Sequence, residues 1–232
     1  MHVPLDYETL RFIWWLLTGL FLIGFGIMGG FDLGVAIWLP FMPRTEIERR
    51  ILINSIGPAW MSSQVWLVLA CGATFAAWPM LYILTFSGFY LAILFILLAL
   101  ILRPIGYRLR TKAVNYKWRR RSDTCLFLGG LLPAVIVGLI IGNIIQGVPF
   151  YFDENLQPFY TGTFRRLLNP MGLWCAMLSV FMLGMYGAFF LNIKTEGHLQ
   201  KRARHAARSF GLLTVVFFAI AGASLYFQSG YQ

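Results

Sequence analysis

Six long apolar runs constrain this chain more than anything else in it. They lie at about 12–40, 53–77, 80–102, 124–146, 171–192 and 210–228, and each is near the roughly 20 residues that a helix needs to cross a hydrocarbon core. Runs of this length favour helices over a barrel, because backbone polar groups in lipid must be satisfied within the segment. Composition agrees: 59% of the 232 residues are hydrophobic and 12% charged, too little polar surface to cover a water-soluble body of this size. Trp14, Trp15, Trp38, Trp66, Trp78 and Trp174 fall towards the ends of the runs, where amphipathic rings sit at membrane interfaces. The expected fold is an all-α polytopic transmembrane bundle of about six helices. Residues 1–150 would form a four-helix half, and 151–232 an outer loop with two further helices.

Lys and Arg accumulate in cytoplasmic loops, so they orient the chain. With the amino terminus outside, the inner segments 41–52, 103–123 and 193–209 hold 3, 8 and 5 basic residues, which is 16 of the 19. The net charge of +10 is thereby explained as a topology signal in contact with anionic lipid. A nucleic-acid partner is not needed. No basic stretch precedes the first run, which is expected to act as its own insertion signal.

Ionisable residues inside a membrane are costly and therefore candidates for function. Of the nine acidic residues only Asp32 lies well within an apolar run, while Arg103 and Asp123 mark inner helix ends. Two roles are open to Asp32: a structural carboxylate bonded to a neighbouring helix, or a carrier of protons. The histidines are His2, His198 and His205, all outside the runs. None can ligate a haem within the bundle, and a Met on an apolar helix is more often packing than ligand. Cys71, Cys125 and Cys175 show no metal-ligand spacing, so no metal site is expected. Gly26, Gly30 and Gly34, and again Gly138 and Gly142, repeat every four residues, the spacing of close helix contacts in lipid.

Several strings resemble subunit II of the cytochrome bd type quinol oxidases. They include Asp6-Tyr7-Glu8 before Leu10-Arg11-Phe12, Gly30-Phe31-Asp32-Leu33-Gly34, Gln64-Val65-Trp66-Leu67, Phe75-Ala76-Ala77-Trp78-Pro79 and Arg103-Pro104. Gly142-Asn143, Gln146-Gly147-Val148-Pro149-Phe150 and Leu168-Asn169-Pro170 continue the series in order along nearly the whole chain. The resemblance implies a respiratory terminal oxidase of a prokaryotic inner membrane. In it this subunit binds no haem with confidence and pairs with a subunit I that carries haems b and d, oxidises quinol and reduces oxygen to water. A structural quinone, small accessory subunits and a proton route from the cytoplasm belong to the same expectation for some members.

The chain departs from the family pattern at three points. It has Gly29 and Met61 where family members usually carry acids, and it covers only the first four-helix half and two helices of the second. Candidate proton-path or buried polar residues are thus Asp32, Asp123, Arg103, Ser62 and Ser63. Ser62 and Ser63 can hold water but not charge. A subunit without a proton path and a small-molecule or ion transporter remain the alternatives.

Overall fold

The computed structural model describes residues 6–57, 60–112, 115–153, 158–160, 162 and 164–226. Its helices are α1 (Tyr7–Trp38), α2 (Glu46–Ile56), α3 (Trp60–Ala77), α4 (Pro79–Gly88), α5 (Tyr90–Lys112), α6 (Tyr116–Gln146), α7 (Pro170–Lys194) and α8 (Gly197–Tyr226). A short antiparallel hairpin, β1 (Phe150–Phe152) and β2 (Pro158–Tyr160), and a single 3₁₀ turn (Phe164–Leu168) lie between α6 and α7. Five helices, α1, α5, α6, α7 and α8, are long and apolar enough to cross a membrane. Side chains such as Phe12, Leu20, Ile23, Leu97, Leu212 and Phe218 are more than half exposed along them, a surface suited to lipid or to other membrane helices. The chain is an all-α multi-pass bundle, as expected.

Two apolar runs divide differently from the sequence expectation. The run 53–77 falls on two helices, since α2 ends at Ile56, where the Gly57 N–H bonds to the Ile53 carbonyl, and α3 starts at Trp60. The run 80–102 takes in α4 and only the first half of α5. The two part at Phe89, whose N–H still bonds to the Thr85 carbonyl, while Pro79 opens α4 behind a non-helical Trp78, as a proline in a first turn has no N–H to lose. Hydropathy cannot register such breaks.

The expected basic loop 103–123 is also helical for most of its length. Helix α5 continues nine residues beyond Arg103 to Lys112, and α6 begins at Tyr116. Arg103 is 2% exposed, so it meets protein in place of lipid and gives the helix no reason to stop. The segment 193–209, expected as an inner loop, likewise belongs mostly to α8. At about 1.5 Å per residue these helices exceed the roughly 30 Å hydrocarbon thickness and project beyond it.

Packing rests on missing side chains. A Cβ on Gly34 of α1 would lie 2.1 Å from the Leu183 carbonyl oxygen and 2.7 Å from the Gly187 nitrogen of α7, so the two backbones touch. On α6 a Cβ at Gly138 would strike the Cys175 carbonyl, and one at Gly142 would meet Gly172. The Trp38 indole N–H donates to the Gly184 carbonyl at 2.7 Å, further binding α1 to α7. Gly26, the third glycine of the expected stripe, faces open space. The turn from α7 to α8 passes through Gly197 at φ +67°, a left-handed conformation that favours glycine.

The connection after α1 is built around α2. Thr45 and Glu48 form a capping box at its start. Glu48 also pairs with Arg202 of α8, whose second guanidinium nitrogen donates to the Met42 carbonyl at 2.8 Å. Hydrogen bonds from the Arg44 backbone, then from Arg202 and the Thr45 backbone, hold the Glu48 carboxyl below its ordinary range.

The glycine contacts make a differential prediction. Gly34→Ala is expected to destabilise the bundle by about 1–3 kcal/mol through overpacking, whereas Gly26→Ala should be near neutral. Thermal unfolding of the two variants in detergent, followed by size-exclusion profile, checks this; equal midpoints would contradict the close α1–α7 approach.

Candidate functional site

A charged side chain within an apolar helix is tolerable only with a partner. Asp32 lies six residues before the end of α1, about 9 Å from it along the axis. Its side chain is sealed, with 0% exposure. Its Oδ1 pairs with Nη2 of Arg103 on α5, and the Ser63 hydroxyl of α3 donates to its Oδ2 at 3.0 Å. Three helices thus meet at one carboxylate.

Arg103 reaches Asp32 because α6 lets it pass. A Cβ on Gly129 would lie 2.4 Å from the Arg103 Cγ, so the bare backbone there makes room for the arginine stem. The next residue, Gly130, leaves α6 in contact with α1, its missing Cβ standing 2.5 Å from that of Ala36. One turn beyond Arg103, the Tyr107 hydroxyl donates to the Ile53 carbonyl at 3.0 Å and ties α5 to α2. The Arg103 Nε finds no acceptor among the described residues. The side chain of Ser62, the remaining candidate of this region, lies outside the described residues.

Asp123 belongs to a second cluster. Its carboxylate on α6 pairs with Arg110 of α5 and, at 3.3 Å, with Arg49 of α2. Glu46 completes the group, 3.1 Å from Arg110 and 3.5 Å from Arg49. The five sequence candidates therefore do not form one site: Asp32, Arg103 and Ser63 come together, and Asp123 stands apart with the partly buried Arg110 and Arg49. Sequence reasoning missed Gly129, Tyr107, Arg110, Arg49 and Glu46. The Gly129-Gly130 doublet was the one signal available, since two adjacent glycines inside a helix imply close approach on two sides.

Chemically, the Asp32 centre is a neutral ion pair. Arg103 cannot give up a proton under ordinary conditions, and two of the carboxylate's acceptor positions are taken. At Gly29, where the family usually has an acid, the Phe25 ring stands 2.9 Å from where a Cβ would be. His198 and His205 are exposed on the first turns of α8, and Met177 and Met182 are exposed on α7. Among the described residues no group of three or more His, Cys, Asp or Glu could hold a metal ion.

At the opposite end, Asn143 donates to the Leu139 and Leu167 carbonyls at 2.8 and 2.9 Å and accepts from Asn169 at 2.9 Å. Asn169 in turn caps α7 through the Gly172 N–H. The strings that carry the resemblance thus touch one another: Gly30 to Gly34 meets Arg103, and Gly142-Asn143 meets Leu168-Asn169-Pro170.

The profile of the cytochrome bd terminal oxidase subunit II family matches residues 10–229. The chain is 49% identical over 218 residues to cytochrome bd-I ubiquinol oxidase subunit 2 of Escherichia coli K12, covering 94% of this chain and 58% of that one. It is 48% identical over 227 residues to a Haemophilus influenzae protein described as a cytochrome oxidase subunit 2, covering 98% and 60%. Against cytochrome bd ubiquinol oxidase subunit 2 of Bacillus subtilis it is 32% identical over 219 residues, covering 94% and 64%. The chain therefore spans about three fifths of the length of these curated relatives. Matched along almost all of its own length, and with the matching strings in contact in the fold, the chain belongs to the subunit II family of the cytochrome bd terminal oxidases.

Proposed function

We propose that this chain is the non-haem subunit of a bd-type quinol oxidase in a prokaryotic inner membrane. In this reading residues 1–150 form its first four-helix half and 151–232 supply the outer loop and two further helices. A haem-bearing partner oxidises quinol and reduces oxygen to water; the haems b and d it holds supply the oxygen chemistry. The names of the relatives support a place in such a complex, and none of them points to a transporter. The donor set described above, with both described histidines outside the apolar part of the bundle, supports the division of labour.

Within that complex Asp32 acts as a structural anchor. The observation that carries this is its sealed pairing with Arg103 and Ser63, together with the Phe25 ring at the neighbouring Gly29. A proton carrier must exchange its proton with groups on either side, and here one side is a permanently charged arginine. The amino terminus faces outward in this reading, supported by the 16 of 19 basic residues that fall in the segments 41–52, 103–123 and 193–209.

Three outcomes follow. The complex purified through this chain should show the absorption band of haem d, and its absence would overturn the oxidase reading. Lys112→Cys should resist an impermeant thiol reagent applied to the outside of intact cells; rapid labelling would reverse the topology. Asp32→Asn leaves Arg103 buried without its charge partner, a loss of roughly 3–5 kcal/mol, so yield of assembled complex should fall steeply. Oxygen consumption per haem in what does assemble should stay near wild type, and a fall in turnover at normal assembly would make Asp32 a proton carrier instead.

A further inference from the structure

A cleft of about 470 Å³ opens between the end of α1 and the first turns of α8. It belongs neither to the Asp32 centre nor to the Asp123 cluster. Its floor is aromatic: the rings of Trp38 and Phe210 lie 4.4 Å apart, and Phe41, 68% exposed, stands at the rim. Its upper wall is basic, with Arg44 from the turn after α1 and Lys201 and His205 one helical turn apart on α8. Ser209 continues the same stripe towards the apolar part of α8.

The charges of this wall are not balanced. Arg202 is neutralised by Glu48, and Glu46 is committed to Arg110 and Arg49. Arg44 and Lys201 make no ion pair with a carboxylate among the described residues, and both are exposed. The cleft therefore offers two free cations and hydrogen-bond donors above an apolar, aromatic floor. It sits where α8 passes from its charged first turns to the apolar stretch that begins near Phe210, which is the level of lipid headgroups.

We propose that this cleft is a binding site for an anionic phospholipid of the leaflet facing the basic end of the bundle. The phosphodiester is held by Arg44 and Lys201, with His205 beside them, and the start of an acyl chain lies along Phe41, Trp38 and Phe210. Charge complementarity selects the headgroup: a zwitterionic lipid brings its own ammonium to a wall that is already positive, whereas an anionic one brings only the missing charge. Basic pockets between membrane helices on the positive side are suited to such lipids, each nearby cation contributing about fivefold in affinity.

Native mass spectrometry of the complex purified through this chain tests the site, with dioleoyl phosphatidylglycerol and dioleoyl phosphatidylcholine as probes. One phosphatidylglycerol per copy should be retained in preference to phosphatidylcholine, and Arg44→Gln with Lys201→Gln together should weaken it by about 25-fold. Arg44→Lys should keep it. Lys201→Gln alone, an exposed change that leaves every described contact in place, should give about a fivefold loss and guards against failure of the double variant to assemble. Unchanged retention in these variants, or equal binding of phosphatidylcholine, would overturn the proposal. Displacement of the lipid by inorganic phosphate at physiological concentration would overturn it too, since the cleft would then be a site for free phosphate.

Discussion

The bundle is organised by the need to satisfy one carboxylate and one guanidinium away from water. Asp32 and Arg103 belong to α1 and α5, which are separated by a helix that touches both, and their pairing is possible only because α6 is stripped to backbone at Gly129. The pair thus sets the distance of α6 from α5 and, through Gly130, from α1. Ser63 then locates α3 on the same carboxylate. An uncompensated charge in this place would cost several kcal/mol, so the four helices are held to one arrangement by electrostatics as much as by shape. Van der Waals contact alone, in a solvent as apolar as the side chains themselves, would discriminate weakly between neighbouring registers.

Glycine does the complementary work. Where α1 crosses α7 at Gly34 and Gly187, and where α6 crosses α7 at Gly138 and Gly142, the backbones approach so closely that no Cβ fits between them. Both ends of the molecule then add directional bonds. Asn143 and Asn169 join α6 to α7 at one end, and the carboxylates of α2 meet arginines from α5 and α8 at the other. Among the described residues the buried charged side chains are thus Asp32 and Arg103 in the interior and Asp123 towards one rim.

Much of this was legible from the amino-acid order. Length and hydropathy revealed the helical class and four of the long helices, because a lipid solvent leaves few alternatives. Asp32 stood out for the same reason, as a charge where none is cheap. The two divided runs were not legible, since Gly57 ends α2 and the Gly88–Phe89 turn parts α4 from α5 without lowering hydropathy. Arg103 misled in a more instructive way: a charge read as the end of a membrane span was in fact a buried partner, and the helix passes through it. The Asp123 cluster was hidden by distance along the chain, with Glu46 and Arg110 separated by 64 residues. Gly26 shows the opposite error, a spacing that matches a packing stripe at a position where nothing packs.

The helix α2 carries a consequence for biosynthesis. Its capping box is local and can form as soon as residues 45–48 leave the ribosome, but its other bonds are not local. Glu48 waits for Arg202, 154 residues later, and Glu46 waits for Arg110. Before α8 is made, α2 can already be held by Tyr107 and Arg110 of α5 and Asp123 of α6, but its apolar face of Leu52, Ile53 and Ile56 lacks the Leu199 and Ala203 that finally share its core. The arrival of α8 then adds a polar and an apolar contact together, Arg202 on Glu48 and Leu199 with Ala203 on the apolar face, so this short helix reports the docking of a segment about 150 residues further along the chain.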